Sequence, residues 1–342
     1  MSMKAYVLNR IGGPLELVEI PTPRPSSDEV LVRVKATGIC HSDLHVIKGI
    51  RKARLPIVLG HECAGIIEEI GDNVRNVSIG DRVSIWYVIP CNVCETCIKG
   101  MPHACPNRRS IGHDINGGYA EYMLVPASNV LKLPSEVSFE IGAIVGCAVG
   151  TAFHAVRIAQ IEAGDEIAVY GLGGVGLHVA MLCKMMGAGT VIGIDPNPIK
   201  KAIAKDFGVD YFINPTDSDP VREIMYLTNQ RGVDEVFECV GLSETYSMAM
   251  QSVKPTGKVI LIGLCMEPVT FEPFQLLYKE VKILFSVNHT LEEQQRLINL
   301  ARKGLIDLSK SITHKMPLSK INEGLELLQT QKSDVVKIVL IQ

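Results

Sequence analysis

The sequence carries little net charge, a formal −3 over 342 residues. That balance supplies no basic field for nucleic acid or for a membrane surface. The first residues, Met1 to Arg10, show no long apolar stretch behind a basic start, so no secretory signal is expected. The longest apolar runs are interrupted by polar residues and glycines, so no membrane span is expected either. Both absences favour the cytoplasm. Internal repeats and low-complexity segments are lacking, and Trp86 is the only tryptophan. What is present is a chain that is 47% hydrophobic and 21% charged. That is the profile of a soluble protein with a large core, long enough for about two domains.

Cysteine is plentiful. Ten are spread along the chain. In a small secreted protein they would read as disulfides; in a chain this size without a signal, metal binding is the better expectation.

The first 140 residues read as β-rich, within a first domain expected over 1–150. Val30–Lys35 and Arg82–Trp86 are short Val/Ile runs set off by Gly, Pro and Asp. From about residue 140 strand-like and helix-like segments alternate. Strands are expected at Glu166–Tyr170, Thr190–Asp195, Tyr211–Ile213, Glu235–Cys239 and Lys258–Ile262. Helices are expected at Val175–Met186 and Pro198–Phe207. The alternation over 151–288 predicts an α/β unit, a doubly wound parallel sheet with helices on both faces. Near residue 288 the pattern changes. Leu291–Arg302 and Leu318–Gln329 carry helical spacing, and Val335–Ile341 is a closing strand. This tail, 289–342, is expected to pack back on the first domain.

Gly171-Leu-Gly-Gly-Val-Gly176 has the form G-x-G-x-x-G, after one expected strand and at the head of one expected helix. Gly171 permits a tight turn, Gly173 lets the backbone approach a pyrophosphate, and Gly176 lets helix and strand pack closely. Gly174 and Val175 belong to the same phosphate-facing loop, where free N–H groups and the helix dipole favour an anion. A plain glycine-rich turn is the bland alternative. The next strand, however, ends in Asp195, 19 residues after Gly176, where an acid meets the adenosine ribose. An acid there repels a 2′-phosphate, so NAD is expected over NADP. Lys200, a turn further on, reads either as a contact to the adenosine end or as a solvated helix lysine.

Cys91, Cys94, Cys97 and Cys105 form C-x2-C-x2-C-x7-C, four thiols able to close a tetrahedron around one Zn2+. Such a site has no open position and is expected to be structural. An iron–sulfur cluster is the runner-up. A second group of ligand-type residues is scattered: Cys40-His41-Ser42-Asp43-Leu44-His45, then Gly60-His61-Glu62, then Cys147. Scatter alone assigns nothing, although two cysteines, a histidine and an open position make one known catalytic zinc arrangement.

These motifs together, with Gly117-Gly-Tyr-Ala-Glu-Tyr122 and Gly146-Cys-Ala-Val-Gly-Thr151, resemble the zinc-containing medium-chain alcohol dehydrogenases over essentially the full chain. The resemblance implies a GroES-like catalytic domain joined to a Rossmann domain, with the active site in the cleft between. It implies a catalytic zinc on Cys40, His61 and Cys147, beside which Glu62 is either a neighbour or a ligand. It gives Ser42 and His45 to an outward proton path, Asp43 to orienting the zinc-bound histidine, His41 to the pyrophosphate and Thr151 to the nicotinamide. Cys63 stands where the family often has glycine and reads as a packing residue. Lys337 stands where many relatives have an arginine, paired with the acid beside zinc or with cofactor phosphate, and lysine lacks that bidentate fork.

The implied activity is hydride transfer between an alcohol and NAD, giving an aldehyde or ketone, with two Zn2+ per chain. Cys147 leans toward simple alcohols, because polyol and threonine dehydrogenases commonly place an acid there. The alternatives are a polyol, amino-alcohol or hydroxyacyl-CoA dehydrogenase on the same scaffold, or a non-enzymatic binding module. The apolar segment Lys282–Val287 is expected to pair across a two-fold axis, as in relatives, making a homodimer or homotetramer. Trp86 is open to two readings, a pocket wall or a core residue.

Overall fold

Strand Glu29–Gly38 has the burial pattern of a residue run covered on both faces over most of its length, and it is the hub of the first unit. It pairs antiparallel with Glu62–Ile70, Tyr122–Pro126 and Lys337–Ile341. The sheet around it runs Val130–Lys132, Arg82–Ile85, Glu62–Ile70, Glu29–Gly38, Lys337–Ile341, Ile312–Pro317. A smaller sheet of Leu15–Pro21, Ser2–Leu8 and Ile57–Val58 completes the β framework of this part. The computed structural model describes residues 2–330 and 334–342. The chain divides into two compact units, Met1–Gly150 with Asn288–Gln342, and Thr151–Val287.

The first unit buries its apolar strand faces in two clusters. One includes Val30, Val32, Val83, Ile85, Trp86, Tyr87 and Cys147, with Cys40 packed against it. Trp86 is 3% exposed, and its Nε1 donates to the His289 carbonyl at 3.0 Å. Of its two readings, the core one is observed.

The second unit is a six-stranded parallel sheet in the order Tyr211–Ile213, Thr190–Ile194, Glu166–Tyr170, Val233–Glu238, Val253–Leu261, Lys282–Phe285. In chain order that is 3-2-1-4-5-6, the Rossmann arrangement. The strand order reverses beside Glu166–Tyr170, and the glycine loop leaves that strand's C-terminal end. A β-rich part and a Rossmann-type part are therefore both present.

Several element ends differ from the sequence reading. The helix expected from Pro198 begins at Lys200, because Asn197 Oδ1 accepts the Ile199 N–H at 3.0 Å and holds the chain in a turn. The helix expected over Leu318–Gln329 begins as a 3-10 turn at Leu318–Lys320, after Pro317, and is α-helical only over Ile321–Gln329. The strand expected at Lys258–Ile262 starts at Val253, five residues earlier, with its register to Val233–Glu238 shifted by an irregularity. Lys282–Phe285 has one sheet neighbour, so it is an edge strand. No helix among the described residues is long and apolar enough to cross a membrane.

Candidate metal centres and dinucleotide loop

Helix His41–Ile47 begins at Cys40, and Asp43 organises its start. Asp43 Oδ2 accepts the Cys40 N–H at 3.0 Å and the Tyr119 hydroxyl at 2.7 Å. Asp43 Oδ1 lies 3.3 Å from His61 Nδ1, an electrostatic contact rather than a well-aligned hydrogen bond. The carboxylate thus faces one imidazole nitrogen and leaves Nε2 directed the other way, 3.3 Å from the Ser42 hydroxyl. His61 follows Gly60, whose φ is +92° and whose added Cβ would sit 2.6 Å from the Tyr119 ring. Only glycine fits there, and it turns His61 inward.

Glu62 opens strand Glu62–Ile70 and is fully buried. Its Oε1 accepts the Lys337 ammonium at 2.7 Å, and the same ammonium donates to the Ile39 carbonyl at 2.9 Å. Oε2 has no hydrogen-bond partner. Cys147, just ahead of helix Ala148–Ala159, closes the group. One ligand atom each from Cys40, His61, Glu62 and Cys147 lies within 4.8 Å of the others.

The charges here suit a cation. The hydrogen bond from Cys147 leads in holding the Cys40 thiol well below its usual range, and that same bond pushes Cys147 up. Burial pushes Glu62 up to about 7 against the pull of Lys337. Burial would lower His61, yet Asp43 and Cys40 outweigh it and raise the imidazole to about 10. A buried imidazole that holds a proton so firmly marks an anionic pocket. Two thiols, an imidazole and an unsatisfied carboxylate oxygen fit Zn2+.

The cysteine lobe is a separate centre. Cys94 and Cys97 sulfurs are 3.5 Å apart, Cys94 and Cys105 3.8 Å, and Cys91 and Cys105 3.5 Å. Zn–S bonds of about 2.3 Å give a tetrahedron edge of roughly 3.8 Å. The four sulfurs therefore fit one ion, and they stand too close for a cluster of several irons. Cys63 is in neither group; burial pushes its thiol up to about 12, in keeping with a packing residue.

In the second unit Gly171 has φ +86°, and a Cβ on Gly176 would fall 1.8 Å from the Gly171 carbonyl oxygen. Gly173 precedes helix Gly174–Met185 with no side-chain cap, and a Cβ on it would meet nothing within 4 Å. The first-turn amides, those of Val175 and Gly176 among them, have no partner within their helix. Asp195 is half-buried; its Oδ2 accepts the Leu172 N–H at 2.8 Å and its Oδ1 the Asn197 N–H at 2.8 Å. The carboxylate is thereby fixed beside the loop. An open cradle with free amides and a fixed acid fits a dinucleotide.

The remaining positions are as follows. Ser42 and His45 are half-buried, His41 is exposed, and no hydrogen bond joins Ser42 to His45 among the described residues. Thr151 is half-buried in helix Ala148–Ala159. Lys200 is 7% exposed, so its reading as a solvated lysine is corrected. For Lys337, the acid is the partner observed; with both bonds directed to Glu62 and Ile39, its place among the phosphate contacts is not what the geometry favours.

Residues that the sequence reading did not single out also surround the first cluster. Tyr87 is buried with its ring 5.1 Å from His61, and its hydroxyl donates to Asn288 Oδ1 at 2.5 Å. His113 is buried with its ring 4.8 Å from His61. Asp43, His61 and His113 also present ligand atoms within 4.8 Å of one another. No local spacing announces these residues, since each arrives from a different strand or turn.

Both parts of the chain are similar to known proteins. Residues 26–135 match the alcohol dehydrogenase GroES-like domain, and residues 174–303 match the zinc-binding dehydrogenase domain. An alcohol dehydrogenase of Geobacillus stearothermophilus is 34% identical over 324 residues, 94% of each chain. An L-threonine 3-dehydrogenase of Pyrococcus horikoshii is 33% identical over 99% of each chain. The crystal structure of a zinc-binding dehydrogenase from Sinorhizobium meliloti bound to NADP superposes with a TM-score of 0.93 at 31% identity, covering 100% of both chains.

Proposed function

Because the chain belongs to the zinc-dependent medium-chain dehydrogenase family, we propose that it transfers a hydride between an alcohol and NAD, giving an aldehyde or ketone reversibly. The observation that carries this reading is the buried group of Cys40, His61, Glu62 and Cys147, with the Ser42 hydroxyl 3.3 Å from the His61 Nε2. When bound, zinc supplies a Lewis acid for the alcohol oxygen, and the nicotinamide supplies the hydride acceptor.

The chain's own residues do the rest. Cys40, His61 and Cys147 hold the metal, with Glu62 beside it or on it. Asp43 fixes the His61 ring through its far nitrogen, which orients a metal-binding imidazole. Ser42 takes the proton that the alcohol must lose as its own hydroxyl proton moves outward, and His45, three residues on in the same helix, hands a proton to solvent. Buried apolar neighbours keep bulk water away from the reacting atoms. Cys91, Cys94, Cys97 and Cys105 hold a second, structural zinc. The loop Gly171–Gly176 takes the pyrophosphate, with His41, Thr151 and Lys200 as further cofactor contacts. Asp195 selects NAD, because a 2′-phosphate would meet its charge. The edge strand Lys282–Phe285 pairs two copies into a homodimer or a larger even assembly, and the protein works in the cytoplasm.

A second reading, an amino-alcohol substrate, is supported by the similarity to L-threonine 3-dehydrogenase. One experiment tests both: reduction of NAD and of NADP by a panel of primary, secondary, polyhydroxy, amino and CoA-linked alcohols. NAD reduction by the simple alcohols is expected. Turnover confined to the amino alcohols would transfer the assignment to the second reading, and turnover with NADP equal to NAD would remove Asp195 as selector.

A further inference from the structure

Beside the first metal cluster, two arginines form no ion pair among the described residues, and one buried histidine has no hydrogen bond on its ring. Arg51 follows helix His41–Ile47, and its backbone N–H donates to the His45 carbonyl at 3.0 Å. Its guanidinium reaches the Ser110 hydroxyl, a long contact of 3.4 Å. Ser110 opens the turn that carries His113, whose N–H donates to the Ser110 carbonyl at 3.2 Å. Arg51 and His113 are therefore neighbours through one residue.

His113 is 1% exposed, and neither ring nitrogen has a hydrogen-bond partner. Its ring centroid is 4.8 Å from that of His61. A buried imidazole with two idle nitrogens needs a reason, because an apolar side chain would fill the same space without that cost. Burial holds the His113 imidazole well below its usual range, with the charges of His61 and then Arg51 acting in the same sense; burial pushes the Tyr87 hydroxyl well up, against a lesser pull from Arg51. Arg108 is felt at Tyr87 too. Arg108 donates to the Cys105 carbonyl at 3.2 Å. Among the described residues neither arginine forms an ion pair. Elsewhere arginines do find acids: Arg33 meets Glu68, and Arg231 meets Glu166 and Asp234.

We propose that His113 and Arg51 form a second anchor for the substrate, and that the alcohol taken at the metal cluster carries an anionic group, a carboxylate or a phosphate. His113 hydrogen-bonds the polar atom nearer the reacting carbon, and the Arg51 fork grips the anion further out. The proposal deepens the alcohol dehydrogenase reading and rests on it for the position of the hydroxyl. It makes the protein a dehydrogenase of hydroxy acids or of phosphorylated alcohols rather than of plain ones.

The test uses the zinc- and NAD-loaded protein and matched substrate pairs: 1-butanol against 4-hydroxybutanoate, and glycerol against glycerol 3-phosphate. For wild type, the charged member of at least one pair should have the higher kcat/KM by about tenfold to a hundredfold, the ratio one charge-assisted hydrogen bond supplies. The difference should lie mainly in KM. The first pair winning identifies a carboxylate, the second a phosphate. In Arg51→Gln the charged-to-neutral ratio should collapse toward one, and Arg51→Lys should restore part of it. His113→Phe should raise KM for the charged member. A wild-type ratio at or below one in both pairs overturns the proposal, as does a ratio unchanged in Arg51→Gln, whose fold is checked by its urea unfolding midpoint. If no alcohol turns over with either cofactor, the dehydrogenase reading itself fails. Calorimetric titration with butanoate and with inorganic phosphate then decides the anchor. Binding that weakens about tenfold in Arg51→Gln supports it, and binding that is absent or equal in both proteins overturns it.

Discussion

Asp43 gathers the first metal cluster with a single carboxylate: it accepts from Cys40 and Tyr119 and faces His61. Its neighbour Ser42 is the residue on which the proposed proton path depends, because among the described residues no other hydroxyl is hydrogen-bonded to His61. Ser42→Ala is expected to lower kcat by about a hundredfold or more, the range general base assistance contributes. His45→Gln should cost less, about tenfold, since water can replace an outer group, and imidazole buffer should restore part of the loss. A pH–rate profile of both variants at several buffer concentrations checks this. Wild-type kcat in Ser42→Ala, with the chemical step shown to be limiting, would send the proton by another route. At this scale legibility was uneven. Cys91 to Cys105 sit in one short motif whose spacing could be read directly, whereas Cys40, Ser42, Asp43 and His45, though also close in sequence, took their roles from the family resemblance. His113, Tyr87 and Arg51 could not, because they are isolated residues whose meaning comes only from the fold that converges on His61.

Among elements, Asp234 ties the two central strands of the parallel sheet. Its Oδ2 accepts the Glu166 N–H at 2.8 Å, and Lys254 and Arg231 pair with it. Burial would raise this carboxyl, yet Lys254, the Glu166 amide and Arg231 outweigh it and hold it below 3.8. A depressed carboxylate stabilises the fold above its unfolded pKa, and that contribution is lost as pH falls through the folded value. Asp234→Asn is expected to cost about 1–3 kcal/mol at pH 7. The deficit should shrink in urea unfolding at pH 3, and a deficit independent of pH would contradict the ion-pair account. Glu166–Tyr170, Thr190–Ile194 and Tyr211–Ile213 were legible as short runs flanked by Gly or Asp, and the first and last have the bounds expected of them; Val233–Glu238 and Val253–Leu261 carry charged residues inside the strand and begin two and five residues before the expected Glu235 and Lys258. Misplaced ends have local causes. Asn197 captures the turn before Lys200, and Pro317 is followed by a 3-10 turn before the helix proper. Such turn chemistry competes with helical periodicity and is invisible to it.

For the whole molecule, Lys282–Phe285 leaves one row of backbone donors and acceptors unpaired at the end of a six-stranded sheet. Nearby in sequence, Phe274, Leu277, Tyr278 and Phe285 are each at least 70% exposed. A second copy pairing strand to strand would cover both features. Phe285→Lys is therefore expected to lower the assembly mass in sedimentation toward that of a single 37.3 kDa chain, and an unchanged mass would place the interface elsewhere.

The central claim is that one chain holds two zinc ions of different kinds, one reactive at Cys40, His61 and Cys147 and one structural in the cysteine lobe. Zinc per chain, measured by mass spectrometry of native protein alongside NAD-linked alcohol oxidation, tests it most directly. Wild type should carry two zincs; Cys40→Ser should keep one, remain folded and lose oxidation, whereas Cys91→Ser should lose the lobe zinc and much of its stability. A wild-type protein with a single zinc, or with iron in the lobe, or a Cys40→Ser variant that keeps both zincs and full activity, would contradict the account.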